Sequence, residues 1–220
     1  MPRTITAIKA QKKNPERLNI YLDDEFAFGL SRIVAAWLQV GQILTDEKIQ
    51  RLLAEDQVEA AYQRTLRFLS IRPRTEKELE RYYHKLGLDV SIQQKISDRL
   101  RSHGWINDQS FADQWVENRN TFHPLSKKAL QYELSKKGVQ PELIAKAVQI
   151  CDEDELAYRA ACKLLPKLKE HSWQEYRRKM YPYLARRGFP YDVVISVIQR
   201  LWEELQSERN ISMENEVPEG

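Results

Sequence analysis

A glycine that follows basic residues and precedes an apolar residue recurs in this chain at a nearly constant interval. The segments are Lys85-Leu86-Gly87-Leu88, Lys136-Lys137-Gly138-Val139 and Arg186-Arg187-Gly188-Phe189. Successive glycines are 51 and 50 residues apart. One such segment is uninformative, because basic residues and glycine suit the carboxyl end of any helix. Three segments at one interval predict a tandem repeat.

The residues around each glycine predict three helices per repeat. An amphipathic segment precedes each glycine, and a segment with apolar residues at helical spacing follows it. In the second repeat that stripe is Leu143, Ala147 and Ile150, and in the third it is Val194, Ile198, Leu201 and Leu205. The predicted opening helices are 59–69, 110–120 and 155–169, and those before the glycines are 74–85, 126–137 and 172–187.

Local signals fix several of the predicted helix ends. Thr75-x-x-Glu78 and Ser172-x-x-Glu175 match the capping box that starts a helix. Asp108 is expected to cap the helix that follows it. The acidic segment 151–155 precedes another helix start, where negative charge favours the helix dipole, so capping explains it better than metal binding.

The first thirty residues have a different pattern from the rest of the chain. Residues 5–9 and 18–22 alternate apolar and polar positions, and residues 26–29 form a third short apolar segment. This pattern predicts a small antiparallel β-meander. Such a sheet must pack on a helix, for which the candidates are residues 31–40 and 45–69.

The predicted fold is mostly α, with tandem three-helix repeat units that form an elongated, curved body after the N-terminal meander. Stacked repeats of this kind serve as binding surfaces. The predicted division is 1–58 for the meander with a helix, 59–108, 109–152 and 153–207 for the repeats, and 208–220 for an acidic mobile tail.

Catalytic and metal-binding patterns are missing from the sequence. The seven glycines form no phosphate-binding loop, no HExxH is present, and the four histidines stand singly. Cys151 and Cys162 lie eleven residues apart without a CxxC and are interpreted as buried thiols within helices. We therefore predict a binding protein rather than an enzyme, with no cofactor and no metal.

The sequence also lacks membrane and export signals. No run approaches the roughly twenty apolar residues of a membrane span, and residues 1–13 lack the apolar core of a secretory signal. The expected location is the cytoplasm, and the expected form is a monomer.

Basic residues recur at similar places in the repeats and are the leading binding candidates. The net charge is +3, but residues 60–108 alone carry ten basic and six acidic side chains. Such a distribution favours a polyanion or an acidic protein surface as partner. The alternative is that these cations pair with acids such as Glu78, Glu80 and Glu175. The predicted partner-binding residues are Arg72, Arg74, Lys77, Arg81, Lys127, Lys128, Lys136, Lys137, Arg177, Arg178, Arg186 and Arg187.

A second set of residues is predicted to be structural. Gly87, Gly138 and Gly188 are expected to end helices in a left-handed conformation. Trp105 is expected to anchor adjacent repeats, and Phe111 with Trp115 to form a core pair four residues apart.

Four segments together resemble the RecX family, regulators of bacterial RecA. They are Leu69-Ser70-Ile71-Arg72-Pro73-Arg74-Thr75 with Glu78-Leu79, Gly104-Trp105-Ile106-Asn107-Asp108 with Phe111-Ala112, Arg119, and Glu133-Leu134 with Lys137-Gly138-Val139. They cover roughly residues 60–140, and their order and spacing are more specific than any single segment.

The resemblance implies a tandem array of three-helix units that binds along the groove of the RecA–DNA filament and restrains it. It implies a modulator of the ATPase, strand-exchange and co-protease activities of RecA in recombination, DNA repair and the SOS response. Arg72, Arg74, Arg119 and Lys137 match positions in the family's motif. Arg119 shares a predicted helix with Phe111 and Trp115, so it is also a candidate for a structural role.

A direct nucleic-acid-binding module is the alternative, because three-helix units loosely resemble the helix-turn-helix motif. Binding to bare DNA separates the two functions. Weak, sequence-independent binding fits a filament modulator, whereas a strong sequence preference fits the direct module.

Overall fold

In the computed structural model, the backbone is described for residues 2–214 and the side chains for residues 2–209. Contacts divide these residues into two compact units. The first unit comprises residues up to 74 together with 79–106, and the second comprises 75–78 together with the residues from 107 onward.

The first unit begins with a four-stranded antiparallel sheet in the order β3-β2-β1-β4. The alternation of apolar residues turns one face of the sheet to a core in which Ile5, Ile20 and Leu30 are fully buried. The predicted meander is confirmed, and the two-residue strand β4 pairs with β1 as an addition. The strands are β1 (Arg3–Gln11), β2 (Asn14–Leu22), β3 (Glu25–Ser31) and β4 (Ile43–Leu44).

The predicted helix over residues 31–40 is wrong. Ser31 ends β3, and the residues after it form successive turns. The N–H of Gly41 donates to the carbonyl of Ile5 at 2.8 Å, with Gly41 at a φ of +89°. This bond ties the end of the segment to β1, and Val34 and Leu38 pack against the core beneath the sheet. Tertiary contacts therefore override the helical pattern.

Nine α-helices follow within the described residues, in groups of three as the repeat predicts. A short 3-10 helix, Leu165–Lys167, extends the seventh. The helices are α1 (Asp46–Leu69), α2 (Glu76–Lys85), α3 (Val90–Ser102), α4 (Asp108–Phe122), α5 (Lys127–Lys137), α6 (Pro141–Val148), α7 (Glu153–Leu164), α8 (Trp173–Ala185) and α9 (Tyr191–Glu214). Repeats 1, 2 and 3 contain α1–α3, α4–α6 and α7–α9, respectively.

The hydrophobic residues form separate clusters in the sheet region and in the first repeat, whereas the second and third repeats share one cluster. In that shared cluster Leu134 of α5, Ala160 of α7 and Met180 of α8 are fully buried. A single repeat of this length buries little apolar surface, so a continuous core across two repeats adds burial that neither has alone.

The first turn of α2 is held by residues of the second repeat, in what we call the first junction (Thr75, Glu76, Asp108, Lys137 and Gly138). The hydroxyl of Thr75 accepts from the N–H of Glu78 at 3.2 Å and donates to the carbonyl of Lys137 at 2.7 Å. The N–H of Glu76 donates to a carboxylate oxygen of Asp108 at 2.9 Å. These bonds satisfy N–H groups that a helix start leaves without partners.

The second junction (Ser126, Lys127, Glu153, Arg187 and Gly188) repeats this arrangement at α5. The Ser126 hydroxyl accepts from the N–H of Ala129 at 3.1 Å. The backbone N–H of Ser126 donates to the carbonyl of Arg187, also at 3.1 Å. The N–H of Lys127 donates to the carboxylate of Glu153 at 3.2 Å. Thr75 and Ser126 are both fully buried, so each junction excludes water from a helix start.

The glycine in each junction has two reasons to lack a side chain. Gly138 and Gly188 have φ values of +85° and +83°. A Cβ on Gly138 would collide with the side chain of Lys77, and one on Gly188 would lie 2.6 Å from the Ser126 hydroxyl. Gly87 shares the positive φ of +65°, but a Cβ there meets nothing within 4 Å.

The start of α8 is closed differently. Ser172 is exposed and forms a capping box with Glu175, as predicted. Hydrogen bonds from the Ser172 backbone and hydroxyl hold the pKa of Glu175 below its usual value. The third repeat therefore supplies its own cap where the other two rely on a neighbouring helix.

Several predicted helix details differ from the structure. Asn107 caps α4 by accepting from the N–H of Ser110, because the carboxylate of Asp108 is taken by the first junction. Ile150 is 85% exposed because α6 ends at Val148, and Ile144 is buried in its place. Cys151 is buried between helices rather than within one.

The predicted tail begins later than residue 208, because α9 continues to Glu214. Residues 215–220 of that predicted segment lie outside the described part of the chain.

Replacing the junction glycine tests the close approach of the helices. We expect Gly87→Ala to lower the free energy of unfolding by about 1 kcal/mol, since only left-handed strain is added. We expect Gly138→Ala to cost about 3 kcal/mol, because steric collision adds to the same strain. Urea unfolding followed by circular dichroism measures both, and equal losses would show that α5 does not end against Lys77.

The buried hydroxyl of Thr75 can be tested against the exposed cap Thr45, which accepts from the N–H of Lys48 at 3.3 Å. Thr45→Val removes one solvent-accessible cap and should cost about 1 kcal/mol. Thr75→Val also removes the donor to the Lys137 carbonyl at a site where the Thr75 side chain is fully buried, and should cost about 2–3 kcal/mol. Urea unfolding followed by circular dichroism measures both losses of unfolding free energy. A loss for Thr75→Val no greater than that for Thr45→Val would show that the bond from Thr75 to Lys137 does not stabilise the first junction.

Candidate partner-binding surface

The repeat glycines define a common register for basic residues on the second helix of each repeat or at its carboxyl end. The position ten residues before the glycine is Lys77, Lys128 or Arg178, and the position two residues before it is Lys85, Lys136 or Arg186. All six side chains are exposed. We call these six residues the outer cations.

Four outer cations in the second unit have no ion pair with any described residue. They are Lys128, Lys136, Arg178 and Arg186. The alternative reading, in which such cations pair with nearby acids, therefore does not apply to them. Lys85 was not among the predicted binding residues, although alignment of the three glycine segments would have identified it.

An exposed aromatic ring lies between two outer cations on α5. Lys128, Tyr132 and Lys136 follow one another at intervals of four residues, so they share one face of the helix. Tyr132 is 61% exposed, and the Nζ atom of Lys136 lies 4.6 Å from the ring centroid. This face offers two positive charges and a ring to a partner.

The basic residue immediately before the glycine is half-buried in the second and third repeats. The Nζ atom of Lys137 lies 3.4 Å from the Glu78 carboxylate and 5.0 Å from the centroid of the Trp115 ring. The Arg187 guanidinium lies 3.6 Å from the Tyr183 ring centroid and donates to the Tyr183 carbonyl at 3.1 Å. Both were predicted to bind a partner, but their contacts are internal.

The remaining predicted cations also divide between internal and exposed positions. Arg72 donates to the carbonyl of Pro73 at 2.9 Å, and the Arg74 guanidinium lies 4.0 Å from the Phe68 ring centroid. Both are half-buried, as is Lys127. Arg81 and Arg177 are exposed and accessible to a partner.

Arg119, a residue of the family motif, lies in a polar cluster on α4 and α5. One carboxylate oxygen of Glu133 accepts from the Nε atom of Arg119 and from the Nε1 atom of Trp115, each at 2.8 Å. Trp115 also stacks on the buried ring of Phe111, with centroids 5.8 Å apart. These contacts join α4 to α5 and give Arg119 a structural role.

Trp105 does not have the buried position expected of it. Gly104 ends α3 at a φ of +71°, and the N–H of Trp105 donates to the carbonyl of Leu100 at 2.9 Å. This turn leaves the indole 58% exposed and buries Ile106 instead. Ile106 is thus the apolar anchor after α3.

Two tyrosines and a cysteine of the third repeat have raised pKa values. The hydrogen bond from Tyr158 to Glu204, at 2.8 Å, together with partial burial raises the pKa of Tyr158 to about 12. Burial raises the pKa of Tyr176 and that of the Cys162 thiol. A raised thiol pKa keeps Cys162 protonated and weakens it as a nucleophile.

The described residues include neither a metal-binding cluster nor a membrane-spanning helix. No cluster of three or more histidine, cysteine or acidic side chains there could hold a metal ion. None of the described helices combines the length and apolar character needed to span a membrane.

Comparison with known families gives four matches along the chain. Residues 3–45 match the regulatory protein RecX N-terminal domain. Residues 61–100, 107–148 and 152–198 match the first, second and third three-helix domains of RecX.

Individual relatives agree with these matches. Regulatory protein RecX of Bacillus subtilis is 32% identical over 202 residues, which cover 90% of this chain and 76% of that protein. Regulatory protein RecX of Clostridioides difficile is 28% identical over 90% of this chain and 95% of that protein.

Two crystal structures are similar to this chain. A regulatory protein RecX has a TM-score of 0.71 at 26% identity, covering 89% of this chain and 98% of that chain. RecX from Lactobacillus salivarius has a TM-score of 0.58 at 26% identity, covering 67% of this chain and 97% of that chain. Family models and relatives agree over nearly the whole length, and the chain therefore belongs to the RecX family of regulatory proteins.

Proposed function

We propose that this protein binds the RecA–DNA filament and modulates the ATPase, strand-exchange and co-protease activities of RecA. The observation that carries the proposal is the common register of the outer cations. A filament repeats its acidic and phosphate groups along its axis, so cations at equivalent positions in successive repeats can each meet an equivalent group. The family's name as a regulatory protein supports the same partner.

The proposed action is binding rather than catalysis. We expect the action to involve no cofactor. We also expect the protein to lie in the cytoplasm with RecA and to act as a monomer. Contact with bare DNA is expected to be weak and independent of sequence, since exposed lysine and arginine bind phosphate without reading bases.

Direct nucleic-acid binding is the second candidate function, and Tyr132 favours it. An exposed ring between two lysines can stack on a base while the lysines contact phosphates. Tight binding to bare DNA with a strong sequence preference would favour this candidate over filament modulation.

The first test is RecA ATP hydrolysis on single-stranded DNA, with this protein added after the filament has formed. We expect the rate to fall at substoichiometric protein, because one bound array would restrain several RecA subunits. An unchanged rate with the cognate RecA and excess protein would overturn the proposal.

Charge reversal of the outer cations tests where the filament binds. For Lys128→Glu combined with Lys136→Glu, we expect half-inhibition of RecA ATP hydrolysis to need roughly tenfold more protein, since two exposed charge contacts are worth on the order of 1.4 kcal/mol.

The matched control is Lys146→Glu combined with Lys167→Glu, which changes the net charge equally at exposed positions outside the outer cations. This control should inhibit like the parent protein. Equal loss in both variants would mean that overall charge, and not the position of the outer cations, governs binding.

A further inference from the structure

The first unit contains a cleft that none of the outer cations lines. It lies between the start of β2, the end of β3 and the carboxyl-terminal half of α1, and has a volume of about 450 Å³. Its size is within the range of small-molecule sites, roughly 300–1,000 Å³. Its basic wall consists of Arg17, Arg32, Arg64 and Arg67.

The buried carboxylates at the cleft are already neutralised from within the protein. Asp56 accepts from the Ser31 N–H at 2.6 Å and from the Arg17 guanidinium at 2.8 Å. Glu59 accepts from the Gln63 amide at 2.8 Å and is paired with Arg99. Arg17 is therefore occupied, and these two acids do not cancel the charge of the other arginines.

The three other arginines remain available to an anion. Arg32, Arg64 and Arg67 are exposed and have no carboxylate partner among the described residues. Arg32 is oriented by a hydrogen bond of 3.1 Å to the carbonyl of Pro15. Arg64 and Arg67 are three residues apart on α1 and lie on one side of the helix. Glu16 is the one further acid in the wall, so the cleft is positive.

The rest of the lining suits a larger group than an isolated anion. The Ser31 hydroxyl is buried without a hydrogen-bond partner, and Asn14 and Gln63 add amide groups. Ile33 and Ala60 add apolar surface. A carboxylate side chain would leave most of this lining without contacts.

We propose that this cleft binds a nucleoside phosphate, either free or as one unit of a single strand. The guanidinium groups would receive the phosphate, to which their planar donor geometry is matched. The Ser31 hydroxyl and the amides would receive sugar and base oxygens, and Ile33 would pack on the base. The site is independent of the proposed filament contact, because it includes no outer cation.

The test is fluorescence anisotropy of a fluorescein-labelled oligothymidylate of about twelve nucleotides, measured over a salt series. The parent for all variants carries Lys128→Glu and Lys136→Glu, so that the two lysines beside Tyr132 do not mask the cleft, and the four other outer cations are the same in every variant. The test variant adds Arg64→Glu and Arg67→Glu. The control adds Lys48→Glu and Arg51→Glu, which make the same charge change on exposed residues of the same helix away from the cleft.

We expect the test variant to bind roughly tenfold more weakly than the control, with a salt slope smaller by about 1.4, because two phosphate contacts are lost. Circular dichroism should show both folded. If thymidine monophosphate displaces the oligonucleotide, the cleft binds a free nucleotide. If it does not, the ligand of the cleft is a nucleotide within a single strand. Equal binding by test and control variants, or displacement by polyglutamate but not by the nucleotide, would overturn the proposal.

The result can be separated from that of the filament proposal. The filament test varies Lys128 and Lys136, whereas both of these lysines are already replaced in every variant compared for oligonucleotide binding. Either proposal can therefore fail alone.

Discussion

The capping of α2 and α5 by residues of the following repeat is the interaction on which the helical part of the structure depends. A helix start leaves four N–H groups without partners, and burying them unpaired would be costly. Thr75 with Asp108, and Ser126 with Glu153, satisfy these groups in the same way. Because the carbonyl before each glycine also takes part, the helix must end where its backbone can approach closely. The close approach requires a glycine at the end of the second helix of a repeat, and the glycines therefore recur about every fifty residues.

The same geometry determines which basic residues can meet a partner. Adjacent residues on a helix differ in direction by about 100°, given 3.6 residues per turn. At the end of α5, Lys137 therefore turns to internal contacts beside the junction while Lys136 is exposed. In the turn after α8, Arg187 is likewise internal and Arg186 exposed. Of the two basic residues before the glycine, the one next to the glycine thus packs internally, and the one before it lies at the surface. The register of the exposed charges is a consequence of how the helices are capped.

Sequence patterns identified the features that depend on local chemistry. The predicted helix ends at the glycines, the cap of α1 at Thr45 and the capping box at Ser172 are present. The errors occur where a distant contact decides the outcome. Nothing local shows that Asp108 would cap α2, that residues 31–40 would be tied to β1, or that Trp105 would be exposed while Ile106 is buried. The cleft arginines come from three separate segments of the chain, so only the fold brings them together.

Two matching sequence motifs start helices in different surroundings. Thr75-x-x-Glu78 and Ser172-x-x-Glu175 have the same pattern. The buried Thr75 hydroxyl donates to the carbonyl of Lys137, and the Glu78 carboxylate pairs with the ammonium group of the same lysine. Ser172 is exposed, and Glu175 returns to its own Ser172. One motif therefore joins α2 to the second repeat and, at α8, closes a helix start locally. The pattern alone does not distinguish these outcomes, because the packing of a distant segment decides whether the cap residue is buried.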